Sequence, residues 1–388
     1  PSRTQYFREV NSDSGNYKGP WKTNQVPTTE LYAFQIGTEQ ALLPKVVAVR
    51  EGFATEILYN PDAWANETAP YFVENDYKIN GEVPAPDPQQ ALLVGPAERA
   101  DVLVDFRGLP DGTVIRMINT APDTPFGGFP DVPADPSTTG QVMQFVVNSA
   151  LLGASPTDPV IAGEGGYEPG ATSPWNLKMG VINGGTVGTP DVVRDLALLE
   201  EVSSLVCVEE VIDEDGLLNW VQIPGVTPLP DETCPGYPLA FAMGPKAAVL
   251  GVVDDVAAQL ATATLWSDPI ATVVDPVNAP IEQWNLHNYS ADAHPIHVHL
   301  VKYRVTGRIG VDGVTPSIIT TPNGVQAWEN GWKDTVIAYP GETTSIAADF
   351  DIPGLYVWHC HILEHEDHEM MVPICVGTPG VECPDKLF

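Results

Sequence analysis

The segment Val94-Gly-Pro-Ala-Glu-Arg-Ala-Asp-Val-Leu-Val-Asp-Phe106 is written again in altered form as Tyr339-Pro-Gly-Glu-Thr-Thr-Ser-Ile-Ala-Ala-Asp-Phe350, with Glu98 matching Glu342 and Phe106 matching Phe350. Each copy reads as strand, turn and strand. A short Pro/Gly turn follows each copy and leads into a further strand, Val114-Ile-Arg-Met-Ile118 in the first and Tyr356-Val-Trp-His-Cys-His361 in the second. A unit used twice predicts two repeats of one β-sandwich. The chain's 38 prolines and 34 glycines close apolar stretches that are short and Val-rich, which is the punctuation of all-β folds. Its 388 residues suffice for two domains, each with its own core. Val142–Val147 is read as the last strand of the first domain and Ser149–Trp175 as the linker. The expected domains are therefore 1–165 and 166–388. Tyr59–Gln90, long and turn-rich for a sandwich loop, reads as an insertion that crosses the surface or reaches a neighbouring chain.

The formal charge of −33 is spread along the chain without a long acidic tail, so nucleic-acid phosphate would be repelled. That charge serves solubility and, in a sharper reading, attraction of cationic substrates. The longest apolar candidate for a membrane span, Ala247–Trp266, is broken by Asp254 and Asp255. Of five cysteines, Cys360 sits between two histidines, leaving four that pair most simply as Cys207 with Cys234 and Cys375 with Cys383. Disulfides predict an oxidising location, secreted or periplasmic. Pro1 is neither an initiator Met nor the start of a signal peptide, so an upstream segment is expected to have been removed or carried elsewhere. Asn66-Glu-Thr and Asn288-Tyr-Ser match the glycosylation pattern, which arises often by chance.

All eight histidines lie beyond residue 286, seven of them in two clusters, His294-Pro-Ile-His-Val-His299 and His359-Cys-His-Ile-Leu-Glu-His-Glu-Asp-His-Glu-Met370. On a strand successive side chains point to opposite faces, so Cys360 must face away from His359 and His361. His297 and His299 share a face, and His294 takes the other if the strand stays regular through Pro295. Cys360, His294 and His365, with Met370 as a weak axial thioether, make up a blue-copper electron-transfer set. Met371 competes with Met370 for the axial place. On the opposite face His297, His299, His359 and His361 converge without a thiolate, as suits copper that binds oxygen species. The peptide bonds between Cys360 and its neighbours join the two sets by a short path. A zinc site is the rival reading, but structural zinc needs neither seven imidazoles nor an axial Met. His287 reads as a structural strand residue and His368 as a surface group.

The two clusters resemble the third and fourth copper motifs of the multicopper oxidases, and His359–Met371 is most similar to the spore-coat laccase and bilirubin oxidase branch. Phe34-Gln-Ile-Gly-Thr-Glu, Leu42-Leu-Pro-Lys, Gly95-Pro-Ala-Glu-Arg-Ala-Asp, Arg194-Asp-Leu-Ala-Leu-Leu-Glu-Glu and Gly331-Trp-Lys-Asp-Thr resemble segments of its second and third cupredoxin domains. The resemblance implies two cupredoxin-like Greek-key sandwiches, copper-free in 1–165 and copper-bearing in 166–388. It implies His294, Cys360, His365 and Met370 as type 1 ligands, His297 as a type 2 ligand, and His299, His359 and His361 as type 3 ligands. Glu366 matches an acidic position that helps deliver protons, unless it is simply a solvated loop carboxylate.

The family's first domain supplies four more imidazoles from two His-x-His motifs, whereas residues 1–286 hold no histidine. The compact two-domain oxidases carry those motifs in their own first domain, so self-association would not replace them. A separate chain or proteolytic fragment is the expected partner. The implied activity is oxidation of phenols, aromatic amines or bilirubin-like pigments coupled to reduction of dioxygen to water, with manganese(II) also open. Six methionines without a Met-rich segment argue against a dedicated cuprous oxidase. Two rival functions are a stand-alone blue-copper electron carrier and a copper-binding structural protein without turnover.

Overall fold

The computed structural model describes residues 3–10, 32–50, 92–105, most of 111–151, 187–202, 205–212, 218–229, 233–243, 246–315 and 325–384. The Tyr59–Gln90 segment, the sequon at Asn66 and the 165/166 boundary lie outside them. Arg3–Val10 (β1), Tyr32–Gly37 (β2), Leu42–Arg50 (β3), Leu92–Val94 (β4), Asp101–Asp105 (β5), Val114–Asn119 (β6) and Gln141–Val146 (β7) build a first unit. Its sheets run β4-β1-β6-β7 and β3-β2-β5. Leu92 is buried with Val102 and Val104 of one sheet and Val142 and Phe145 of the other packed around it.

The second unit comprises Val192–Val202 (β8), Val206–Ile212 (β9), Leu218–Gln222 (β10), Phe241–Met243 (β11), Lys246–Asp255 (β12), Leu260–Thr264 (β13) and Thr272–Val274 (β14). It continues with Ile281–Asn288 (β15), His294–Val298 (β16), Tyr303–Gly310 (β17), Thr335–Ala338 (β18), Glu342–Asp349 (β19), Gly354–Cys360 (β20) and Met371–Val376 (β21). A six-stranded sheet, β13-β12-β8-β15-β19-β17, faces a five-stranded one, β14-β21-β20-β16-β18. Their shared core holds Leu198, Leu250, Leu286 and Ile346 from the first and Ile296, Val336, Trp358 and Ile374 from the second. Trp284 stacks on Phe350 at 5.3 Å between ring centroids and meets Trp358 edge-on at 5.7 Å. The fold is all-β, as the composition suggests; among the described residues the one α-helix, α1 (Leu363–Asp367), is five residues long. Among the described residues no helix is long and apolar enough to cross a membrane.

The duplicated sequence unit folds alike in both copies. Glu98 N–H donates to the Gly95 carbonyl at 3.0 Å, and Glu342 N–H donates to the Tyr339 carbonyl at 3.2 Å. β4, turn and β5 thus correspond to β18, turn and β19. Between β8 and β12 lies a small β10-β9-β11 sheet, not expected from the sequence, which the Cys207–Cys234 disulfide staples. The second disulfide joins Cys375 to Cys383, leaving Cys360 as the free cysteine.

The loop after β2 and the turn after β4 grip the segment that leads into β18. Gln35 Nε2 donates to the Trp328 carbonyl, while Thr38 Oγ1 and Gln40 N–H donate to the Trp332 carbonyl. Lys333 Nζ meets Glu39 at 2.8 Å and Glu98 at 3.2 Å. Packing is close enough that a Cβ on Gly331 would collide with the Thr38 side chain.

Candidate metal centre

β16 and β20 pair antiparallel with Ile296 opposite Cys360 and His297 opposite His359. Because the side-chain period of a strand is two, Ile296, Val298, Trp358 and Cys360 fall on the core face. His294 shares that face, while His297 and His359 point the other way. The alternation inferred from sequence therefore sorts the side chains as expected.

On the core face Cys360 Sγ lies 3.6 Å from His294 Nδ1 and 3.8 Å from His365 Nδ1, and the two Nδ1 atoms are 3.2 Å apart. A circle through these three atoms has a radius of about 2 Å, the length of a metal–imidazole bond. One thiol and two imidazoles at that spacing fit a single copper ion, with soft sulfur and nitrogen donors suited to it. Met370 is fully buried in the same core cluster, whereas Met371 is only half-buried and sits opposite His359 in the β20–β21 ladder. Met370 is thus the methionine on the Cys360 side. Glu369 brings it there through a φ of 106°, rare for a non-glycine residue, and the Met370 carbonyl accepts Cys360 N–H at 3.0 Å.

The tautomer of His294 follows from a network that sequence reasoning missed. Buried Asn288 spends both Nδ2 protons on the Asp292 and Ala338 carbonyls, which fixes its Oδ1 as acceptor for the Ser290 hydroxyl at 2.7 Å. The Ser290 oxygen must then accept from His294 Nε2 at 2.6 Å, leaving the Nδ1 lone pair free toward Cys360. Asn288 and Ser290 belong to the apparent sequon, and their burial closes it to glycosylation in the folded chain. The polar residues Asn288 and Ser290 just ahead of a histidine cluster were the one sequence signal of this role.

Burial, with His365 adding to it, pushes His294 down to about 3, so its ring is neutral across the physiological range. Burial pushes the Cys360 thiol up to about 12. Without metal the thiol keeps its proton, which binding must displace.

On the outer face His299 Nε2 and His359 Nε2 approach to 3.2 Å, and His297 joins them with donor atoms within 4.8 Å of one another. His361 stands beside them, 5.3 Å from His359 and 6.1 Å from His297 between ring centroids, but its nitrogens are outside that tight group. His297 Nδ1 donates to the Asp334 carbonyl at 2.8 Å, which leaves Nε2 free. Glu366 Oε2 lies 3.3 Å from His359 Nδ1, and the Glu366 side chain is partly exposed. Burial lowers His297 and His299, keeping both rings neutral and able to ligate. His287 has both ring nitrogens committed, to Asp195 Oδ1 and Thr343 Oγ1, and His368 is exposed.

Comparisons with known proteins agree with this donor chemistry. Residues 247–379, which carry both histidine clusters, match the sequence model of a family described as multicopper oxidase. Those residues belong to the multicopper oxidases. A laccase from Bacillus stratosphericus is 43% identical over 117 residues, 28% of this chain and 22% of that protein. A laccase from Haloferax volcanii is 47% identical over 107 residues, 27% of this chain and 17% of that protein. The solved multicopper oxidase of Campylobacter jejuni superposes with a TM-score of 0.46 at 16% identity, covering 97% of this chain and 51% of that one. The matched part of the chain thus spans about a fifth of those two laccases.

Proposed function

We propose that this chain carries the electron-accepting half of a laccase-like oxidase. In this reading, one-electron oxidation of phenols, aromatic amines or similar substrates is coupled to four-electron reduction of dioxygen to water. The observation that carries the reading is the pair of unlike donor sets on opposite faces of β20, joined through consecutive residues. Copper bound at the Cys360 set would supply one-electron transfer, and copper at the imidazole set would supply dioxygen reduction. His294, Cys360, His365 and Met370 would hold the first, with His294 oriented by Ser290. His297 would be the type 2 ligand, and His299, His359 and His361 the type 3 ligands. The Cys360–His359 and Cys360–His361 peptide links are the shortest covalent connection between the faces.

Glu366, within 3.3 Å of His359 Nδ1 and partly open to solvent, would hold protons and pass them to the imidazole face. Four further imidazoles would come from polypeptide outside residues 1–388, as a separate chain, a cleaved fragment or an adjoining segment. Two disulfides favour a secreted or periplasmic location.

The stand-alone blue-copper carrier draws support from one observation: only the Cys360 set is closed within this chain. Native mass spectrometry of the isolated protein separates the two readings. About four coppers, with further His-bearing polypeptide present, is the expected result. A single copper on this chain alone would overturn the oxidase and leave the carrier.

A further inference from the structure

Asp334 serves two masters. Its backbone carbonyl holds His297 Nδ1–H at 2.8 Å, while its carboxylate is held by the copper-free domain. Arg99 donates from both guanidinium nitrogens, at 3.0 Å to Oδ1 and 2.6 Å to Oδ2, and Gln40 Nε2 donates to Oδ2 at 2.6 Å. Thr335 Oγ1 completes the set at 3.0 Å to Oδ1. Four donors on two oxygens leave this nearly buried carboxylate no freedom to rotate.

That restraint has a chemical consequence, because Asp334 Oδ1 lies only 3.7 Å from His297 Nδ1. Released, the carboxylate would compete with the carbonyl for the imidazole proton and draw the ring toward itself. A histidine paired with carboxylate is more basic and differently oriented than one paired with a carbonyl. Adhesion between the domains does not explain the Arg99 fork. Lys333 with Glu39 and Glu98, together with the Gly331–Thr38 packing, already provides adhesion from sealed groups. The Arg99 side chain is 51% exposed, a setting in which an ion pair contributes little to stability.

We propose that Arg99, assisted by Gln40, is a positioning residue for the His297 imidazole. By restraining the Asp334 carboxylate it keeps His297 Nδ1–H on the carbonyl and aims Nε2 into the outer histidine cluster. The copper-free domain then acts on the outer face alone, although it ligates nothing itself. This inference rests on the reading of His297 as a copper ligand.

The test uses the complete copper-loaded protein and compares wild type with Arg99→Met, Arg99→Lys and Gln40→Leu. Blue absorbance reports the Cys360 set, and the paramagnetic resonance spectrum of non-blue copper reports His297. Arg99→Met is expected to keep the blue band, to weaken copper binding at the outer face about tenfold or more, and to shift the non-blue hyperfine splitting. Arg99→Lys should recover part of both effects, and Gln40→Leu should show a smaller change in the same direction. A wild-type protein without non-blue copper removes the His297 reading and the inference with it. If wild type shows that copper and Arg99→Met matches it in affinity and spectrum, losing only melting temperature, Arg99 is structural and the inference alone is overturned. If Arg99→Met also loses the blue band, Gln40→Leu decides, and an unchanged affinity and spectrum in that variant overturns the inference.

Discussion

β20 presents two faces of opposite character. His294, Cys360 and Met370 on the core side are sealed between the sheets, whereas on the outer side His297 is half-buried and His299 exposed. The sealed set takes every donor from one chain, and its supports, Ser290, Asn288 and the Ile362 N–H directed at Cys360 Sγ, are local. In the open set His359 is held locally, by the Cys360 carbonyl and Glu366, but His297 takes its support from Asp334, whose carboxylate Arg99 and Gln40 of the first unit hold. One strand thus joins a centre whose geometry is fixed by folding to one whose geometry depends on what packs against it. A closed low-dielectric pocket excludes exogenous ligands and suits electron transfer, while an open imidazole cluster can admit a small oxidant.

The sharpest way to break this comparison is Cys360→Ser. Blue absorbance and oxygen consumption should disappear together, while non-blue copper at the outer face persists; retention of either colour or turnover would overturn the ligand assignment. A smaller effect is expected from Ser290→Ala. His294 Nε2–H would be left buried without an acceptor, at a cost of about 1–3 kcal/mol to the metal-free fold, measurable by denaturant titration. Copper affinity at the Cys360 set should fall by about tenfold or more, with the outer face unchanged. Equal losses at both faces would show that they are not independently supported.

The sorting of the seven clustered histidines was legible because it rests on strand period alone, and the regularity of β16 through Pro295 carried His294 to the Cys360 side. The duplicated turn was legible for the same reason: its Gly95–Glu98 and Tyr339–Glu342 bonds are local. Ser290 and Asn288 looked like a sequon because burial, which decides between the readings, is set by β18, 50 residues further on. Arg99 and Asp334 are 235 residues apart, and nothing in either neighbourhood marks the pairing. His361 lay on the expected face, yet sharing a face does not bring its nitrogens within the tight group that His297, His299 and His359 form.

The smallest expected effect concerns the grip of one domain on the other, and it should leave both faces of β20 spectroscopically unchanged. Glu39 is sealed beside Lys333, with Glu98 and the Arg99 N–H also facing it. Burial pushes Glu39 up to about 7, with the Lys333 charge opposing the rise and Glu98 adding to it. Lys333, against the pull of its own burial, is held protonated by Glu98 and Glu39. Two carboxylates share one ammonium, so one of them retains a proton into the neutral range. In the unfolded chain Glu39 would release that proton near its ordinary value of 4.5. Between those limits the folded protein binds more protons than the unfolded one. The stabilisation from Glu39 is therefore full below about pH 4.5 and is lost as pH rises through about 7. Glu39→Gln should flatten the fall in stability across that window by up to about one proton's worth of slope, read from denaturation midpoints at several pH values. An unchanged slope would mean that Lys333 fully neutralises an ionised Glu39. The grip of Glu39 on the Trp332–Asp334 segment would then be independent of pH.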